Sequence, residues 1–279
     1  MKTTIITICM VLFGAMASQA QDANLFRDAN GKYGFKDQTG KTIIKPEYDK
    51  AFEFSEGLAG VRQNGKWGFI DITGEEIVKP QYDYIGSFHN GIAHINTGCE
   101  VDGYGNPHGG LWGLIDKTGR EIIPPKYDYI YRDFSGGYTI VGLKEKYGII
   151  DTRGTETVPL KYDNIPNSAF GQYPLQEVWL NDKAGFVELK TGKEIVPVKY
   201  DDVVSFSEDL AAVNKGGIPQ NFRVLGGKWG FVDTTGKEVI PPVYHIPFLS
   251  ESLRFQNGKV QVSKDERTFF IDKTGKEVK

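Results

Sequence analysis

The chain has 279 residues, a formal charge of −3, 25% charged residues and 13% aromatics. Acidic and basic residues alternate without runs, which excludes a surface built for phosphate backbones or anionic lipid and leaves nucleic acid out as a partner. Aromatics recurring in register at this density exclude a disordered chain.

Residues 1–20 read as a signal peptide. Lys2 is followed by an apolar run and then by Ser18-Gln19-Ala20, with cleavage expected before Gln21. The run is too short for a spanning helix, so no stable transmembrane insertion is expected, and the protein is expected to be exported, periplasmic or extracellular on the cell surface. Cys9 leaves with the leader. Cys99 is then the last thiol, so no disulfide closes within the chain, and its Gly-rich surroundings read as a loop.

Residues 21–279 read as a single repeat domain. Asp37, Asp71, Asp116, Asp151, Glu188, Asp233 and Asp272 occupy one recurring slot, at spacings of 34, 45, 35, 37, 45 and 39. The units run approximately 25–47, 48–81, 82–126, 127–161, 162–199, 200–243 and 244–279. In each, a glycine at 40, 74, 119, 154, 192, 236 or 275 marks a short hairpin turn. "NG" at Asn30-Gly31 and Asn64-Gly65, and "GG" at Gly226-Gly227, mark a second turn ahead of the aromatic. A third follows a phenylalanine, as in Phe54-Ser-Glu-Gly57 and Phe88-His-Asn-Gly91.

These turns predict four short strands per unit in up-and-down order; for the second unit they are "AGVR", "KWGFID", "EEIVK" and "DYIGSF". Pro46, Pro80, Pro125, Pro159, Pro197 and Pro242 fall at one corner. Proline lacks the amide of a central ladder, so the break between successive sheets is expected there. Alternation sets Trp67, Phe69 and Asp71 on one face and Lys66, Gly68 and Ile70 on the other. Apolar groups on both faces predict a sheet packed on either side. Gly68 is expected to admit a ring or backbone of the adjoining unit, with a corner tyrosine (Tyr48, Tyr82, Tyr127, Tyr162, Tyr200 or Tyr244) as occupant.

"GKWGFIDITG", followed by "P-x-Y-D" and "F-x-x-G-L-A", resembles the WG-repeat (KWG-repeat) family of bacterial proteins over essentially all of 21–279. Departures are Tyr33 and Tyr147 in the Trp slot, Ala184 in the same slot, and Thr268-Phe269 in the last unit. The resemblance implies an all-β repeat protein and carries no catalytic residues to transfer. The expected fold class is an all-β tandem array of small antiparallel β-meander units. An open solenoid or superhelical stack is favoured by the cap-like last unit, with a seven-bladed β-propeller-like ring as runner-up.

Sites for chemistry are sparse. His89 and His94 flank a turn five residues apart, His108 falls in a loop, and His245 replaces the corner Asp. None has metal-ligand spacing, and no nucleophile elbow or phosphate loop appears, so no metal, no cofactor and no enzyme activity are expected. The repeated Asp turns lack the ligand count of a calcium loop and suit acceptance of turn amides. Two units carry insertions at one junction, "NTGCEVDGYGNPHGG" at 96–110 and "NKGGIPQNFRVLGG" at 214–227. Both are expected to emerge on one rim, with Tyr104, His108, Phe222 and Arg223 as ligand-binding side chains. The function expected is a non-enzymatic exported scaffold for a protein partner at the cell envelope. The alternative is a glycan-binding module, and a propeller-type hydrolase stands third.

Overall fold

The computed structural model describes residues 23–131, 134–167, 170, 173–220, 223–246 and 253–279, and the leader read at 1–20 lies outside them. Every regular element among the described residues is a strand, and none of their segments is a helix long and apolar enough to cross a membrane. The chain divides into two compact units, which meet in sequence between Ile130 and Tyr131.

In the first unit, β1 (Asn24–Arg27), β2 (Tyr33–Lys36) and β3 (Thr42–Tyr48) form one sheet. The next comprises β4 (Lys50–Ala51), β5 (Leu58–Gln63), β6 (Lys66–Asp71) and β7 (Glu76–Tyr82). A third comprises β8 (Tyr84–Ile85), β9 (Ile92–Val101), β10 (Pro107–Asp116) and β11 (Glu121–Tyr127), and β12 (Tyr129–Ile130) follows.

The second unit continues with β13 (Tyr138–Leu143), β14 (Lys146–Asp151) and β15 (Glu156–Tyr162), then β16 (Leu175–Leu180), β17 (Lys183–Glu188) and β18 (Glu194–Tyr200). Its last sheets are β19 (Asp202–Ser207), β20 (Leu210–Gln220), β21 (Arg223–Asp233) and β22 (Glu238–Tyr244), then β23 (Lys259–Lys264), β24 (Arg267–Asp272) and β25 (Glu277–Val278). Among the described residues the sheets number seven and all are antiparallel meanders, as the expected fold class requires. The fifth and seventh replace their opening strand with single bridges, Asn164 to Trp179 and His245 to Ser263.

Turn chemistry fixes each meander. Asp71 Oδ1 accepts the amides of Thr73 at 2.8 Å and Glu75 at 2.9 Å and the Thr73 hydroxyl at 2.7 Å. The same triple recurs at Asp37, Asp116, Asp233 and Asp272. The other hairpin needs two consecutive left-handed residues, as in Asn64 (φ 51°) and Gly65 (φ 83°). Lys144-Glu145, Asn181-Asp182 and Asp265-Glu266 adopt that conformation without glycine. Sheet pairing overrides their local preference.

The WG glycine has a different cause from the one expected. Trp67 pairs with Tyr82 and Phe69 with Val78, so Gly68 alone faces the three residues Lys79 to Gln81. This bulge folds β7 over the glycine: a Cβ on Gly68 would lie 2.3 Å from the Val78 carbonyl oxygen and 2.7 Å from the Pro80 nitrogen. The occupant is backbone of the same sheet, not a tyrosine ring from the next. Gly34, Gly113, Gly148, Gly185 and Gly230 meet their own last strands in the same way. The prolines therefore lie inside edge strands at bulges, where the missing amide breaks no ladder. The sheet break comes after the tyrosine, so the strand read in "DYIGSF" opens the third sheet as β8.

Each sheet is apolar on both faces. Ile70 packs with Phe35, Ile44 and Tyr48 of the preceding sheet, and Phe69 packs with Ile85, Phe88 and Ile95 of the following one. A phenylalanine pair recurs across these contacts: Phe35–Phe54 at 4.7 Å, Phe69–Phe88 at 4.8 Å, Phe186–Phe206 at 4.9 Å and Phe231–Phe255 at 5.0 Å between centroids. Burying one such ring contributes about 2–3 kcal/mol, which a lone three- or four-stranded sheet with two apolar faces forgoes. The corner tyrosines are buried beside them, and Tyr82 donates its hydroxyl to Glu121 of the following sheet at 2.8 Å.

Candidate functional site: two hairpin arms

Both insertions are ordered as strands, not loops. They lengthen the central hairpin of their sheets, giving β9 and β10 10 residues each and β20 and β21 11 each, against 6 in β5 and β6. Each forms a two-stranded arm beyond its sheet, residues 97–111 in the first unit and 215–220 with 223–228 in the second.

The two arms share one root. Asn96 and Asn214 are fully buried opposite Trp112 and Trp229, and their amide nitrogens donate to the carbonyls of Gly109 and Gly226 at 3.2 Å. Their Oδ1 atoms lie 2.2 Å and 2.3 Å from where a Cβ of Gly110 and of Gly227 would sit, so only glycine fits there. Gly98 and Gly110, like Gly216 and Gly227, have left-handed φ on facing strands. A unit without an arm turns its chain round at this point with two left-handed residues. An armed unit keeps that conformation and lets both strands run on.

The aspartate of the corner clamps each root. Asp83 accepts Lys66 Nζ at 2.6 Å on one oxygen and the Gly98 amide at 2.8 Å on the other. The Gly98 amide and then Lys66 hold its carboxyl below the ordinary range. Asp201 pairs with Lys183 and accepts the amides of Gly216 at 2.6 Å and Gly217 at 3.2 Å. Burial opposes its charge, yet these donors together hold its carboxyl low. Asp49, between Lys32 and the Asn64 amide, does the same where there is no arm.

The first arm ends in a copy of the repeat's own turn. Asp102 Oδ1 accepts the amides of Tyr104 and Asn106, both at 2.9 Å, and Oδ2 lies 3.0 Å from His108 Nε2. The His108 contact first, and these amides after it, push the Asp102 carboxyl far down. Tyr104 stands where Thr73 stands in the second sheet; having no short hydroxyl for the aspartate, it projects into solvent, 94% exposed.

Tyr104 and His108 are thus gathered around Asp102, a residue the sequence reading left out of the site. Arg223 opens β21 opposite Gln220, and Phe222 lies outside the described residues. Asn96 and Asn214 were also missed. Their signal was legible as "N-x-G" followed later by "GG", present in both insertions.

Apolar exposure concentrates on the arms. Among the described residues seven large hydrophobic side chains are exposed, and Val101, Tyr104, Leu111, Ile218 and Leu225 are five of them. Cross-strand pairing sets Leu111, Cys99, Val101 and Pro107 on one face of the first arm, with Glu100 and His108 on the other. Ile218 and Leu225 pair directly in the second arm. Among the described residues no three His, Cys, Asp or Glu side chains gather as a metal site.

The family model of the WG containing repeat matches residues 33–67, 67–96, 112–147, 147–169, 185–217 and 229–245, more than half of the chain. The chain belongs to the WG-repeat family. No curated protein matches this WG-repeat chain. Solved structures similar to it include a eukaryotic initiation factor (10% identity, TM-score 0.40, covering 92% of this chain and 73% of that one). AztD from Citrobacter koseri is another (11%, TM-score 0.34, 93% and 78%), as is Hsv2 from Kluyveromyces lactis (12%, TM-score 0.32, 78% and 70%). At these scores the likenesses carry no argument about how the WG-repeat sheets are arranged or what they bind.

Proposed function

We propose that the protein is a non-enzymatic, exported repeat scaffold that holds a protein partner at the cell envelope through its two arms. One observation carries the reading: the sheets bury their apolar faces in one another, while the arms hold five of the seven large hydrophobic side chains exposed among the described residues. An exposed apolar surface on an ordered element is characteristic of a contact site. Both arms rise from the same Asn–Gly root, so they are positioned by the scaffold rather than left as slack insertions. Export rests on the leader-like residues 1–20.

Deleting 97–108 and 215–225 together, each closed by a two-residue turn, and comparing captures from envelope extract tests the reading. Recovery of the same partners by the armless chain would remove the arms from the function. Aromatic platforms that stack on sugars must be open; among the described residues Tyr104 and Tyr129 are the exposed aromatics, and Tyr104, which projects furthest into solvent, favours a glycan-binding reading. Trp67 and Trp229 are buried, and Trp179 is engaged with Glu177. Capture by oligosaccharide beads that disappears in Tyr104→Ala and survives loss of the second arm would select that alternative.

A further inference from the structure

The flanking strands stop at the root of each arm. β8 pairs with β9 no further than Asn96, and β11 with β10 no further than Trp112. In the other armed sheet β19 and β22 likewise reach only Asn214 and Trp229. Among the described residues no strand runs beside either ribbon, so its edges are unpaired. The edges are nevertheless guarded. Pro107 and Pro219 lack ladder amides, and Glu100, Lys215 and Arg223 bring charge to the strands, the devices by which edges avoid casual pairing. The faces are what remains for contact. Cys99, Val101, Pro107 and Leu111 share one face of the first ribbon. Ile218 and Leu225, 71% and 53% exposed, face each other across the second.

Charge separates the two arms. Residues 97–111 hold Glu100 and Asp102 and no lysine or arginine, whereas 215–228 hold Lys215, Arg223 and Lys228 and no acid. Elsewhere along the chain the two signs are interspersed. Lys215 is compensated by Glu238 at 2.8 Å, which leaves Arg223 and Lys228 to set the sign of the second arm. On the first arm Asp102 is engaged with His108, and Glu100 is exposed. Arms of one sign repel their own kind and attract the other, and such complementarity selects partner and register more than it adds affinity. One chain therefore carries both halves of a complementary contact, each with an apolar face.

We propose that each arm docks on the opposite arm of a second copy of this chain. The face bearing Val101 and Leu111 packs on the face bearing Ile218 and Leu225, and acidic against basic decides which arm meets which. The contact is heterologous, so it closes as a pair or ring of copies or runs on as an open string. The inference rests on the arms being the contact surface and names what they contact.

Sedimentation velocity of the full chain at rising concentration tests the pairing. The wild-type chain should self-associate. Chains lacking 97–108 or 215–225 should each stay monomeric, and mixing the two should give a one-to-one dimer. Point variants read the same contact should a deletion fail to fold. Glu100→Lys and Arg223→Glu should each weaken association about five- to tenfold, because an exposed attraction becomes a repulsion and each contributes a factor of a few. Mixing these two variants should restore it, since every acidic–basic match is then re-formed. A monomeric wild-type chain, a single-arm chain that still self-associates, a mixture of single-arm chains that stays monomeric, or reversed chains that fail to rescue each other overturns the pairing. A monomeric wild type whose arms are still needed for capture from envelope extract overturns the pairing and leaves the scaffold reading standing. Arm-dependent association without arm-dependent capture leaves the pairing standing and confines the arms to contact between copies.

Discussion

Replacing Gly68 with alanine tests the reason given for the repeated WG. The added Cβ would stand 2.3 Å from Val78 O, 2.7 Å from Pro80 N and 2.8 Å from the Lys79 carbonyl carbon, all of them backbone atoms of β7. Ordinary carbon–oxygen contacts lie near 3.3–3.6 Å, so the bulge must retreat by roughly 1 Å. Such overpacking costs about 1–3 kcal/mol, and a backbone obstacle places this site near 3. Glycine's extra freedom in the unfolded chain returns roughly 0.4–1 kcal/mol, leaving a net loss of about 2. Gly86→Ala is the control, since its Cβ would meet nothing nearer than the His94 Cβ at 3.7 Å. That change should be neutral or stabilising by up to ~1 kcal/mol. Urea unfolding of the full chain, followed by tryptophan fluorescence, reads both. Gly68→Ala should lower the midpoint with little change in slope and bring Tm down by roughly 4–8 °C. If it matched Gly86→Ala, the bulge would not be what demands glycine.

Asp83→Asn should unclamp the first arm, raising amide exchange at Gly98 about fivefold for the loss of roughly 1 kcal/mol. Because the wild-type carboxyl is held low, its contribution is present above about pH 4 and fades as pH falls further, so the protection difference should vanish in acid. Tyr82→Phe should cost about 1 kcal/mol by removing the hydroxyl bond to Glu121, read by the same urea titration. Burial pushes Tyr48 up to about 12, so the folded chain keeps its phenol protonated longer than the unfolded one, and stability should fall as pH rises from about 10 to 12. Absorbance at 295 nm should therefore show phenolate appearing late and together with unfolding. Tyr104→Ala should leave Tm unchanged because the ring is 94% exposed, so any loss of partner capture reports binding alone.

Turn residues made most of the fold legible. Asp71, Thr73 and Gly74 act through bonds closed within a few residues, and such local chemistry can be read from spacing. The alternation of Trp67, Phe69 and Ile70 likewise set both faces of a sheet against neighbours, because strand geometry fixes where side chains point. Pro80 was legible in part, since it does lie in an edge strand and the sheet break does fall at its corner, just after Tyr82. A missing amide marks a strand end and an edge bulge equally well, and only the register of Trp67 with Tyr82 separates them. The arm tip was half legible: Tyr104 and His108 stood out as residue types, while nothing in the spacing showed that Asp102 gathers them as a turn acceptor.

By itself the sequence determined an all-β chain of repeating meanders, the place of each turn, and the two positions where a central hairpin is lengthened. These follow from backbone preferences and from periodicity, which act over a few residues. Only the tertiary structure decided what the WG glycine accommodates and that the insertions are strands rooted on Asn96 and Asn214. Each of those depends on strands brought together from separate stretches of chain, where register and packing, not local preference, choose the neighbours.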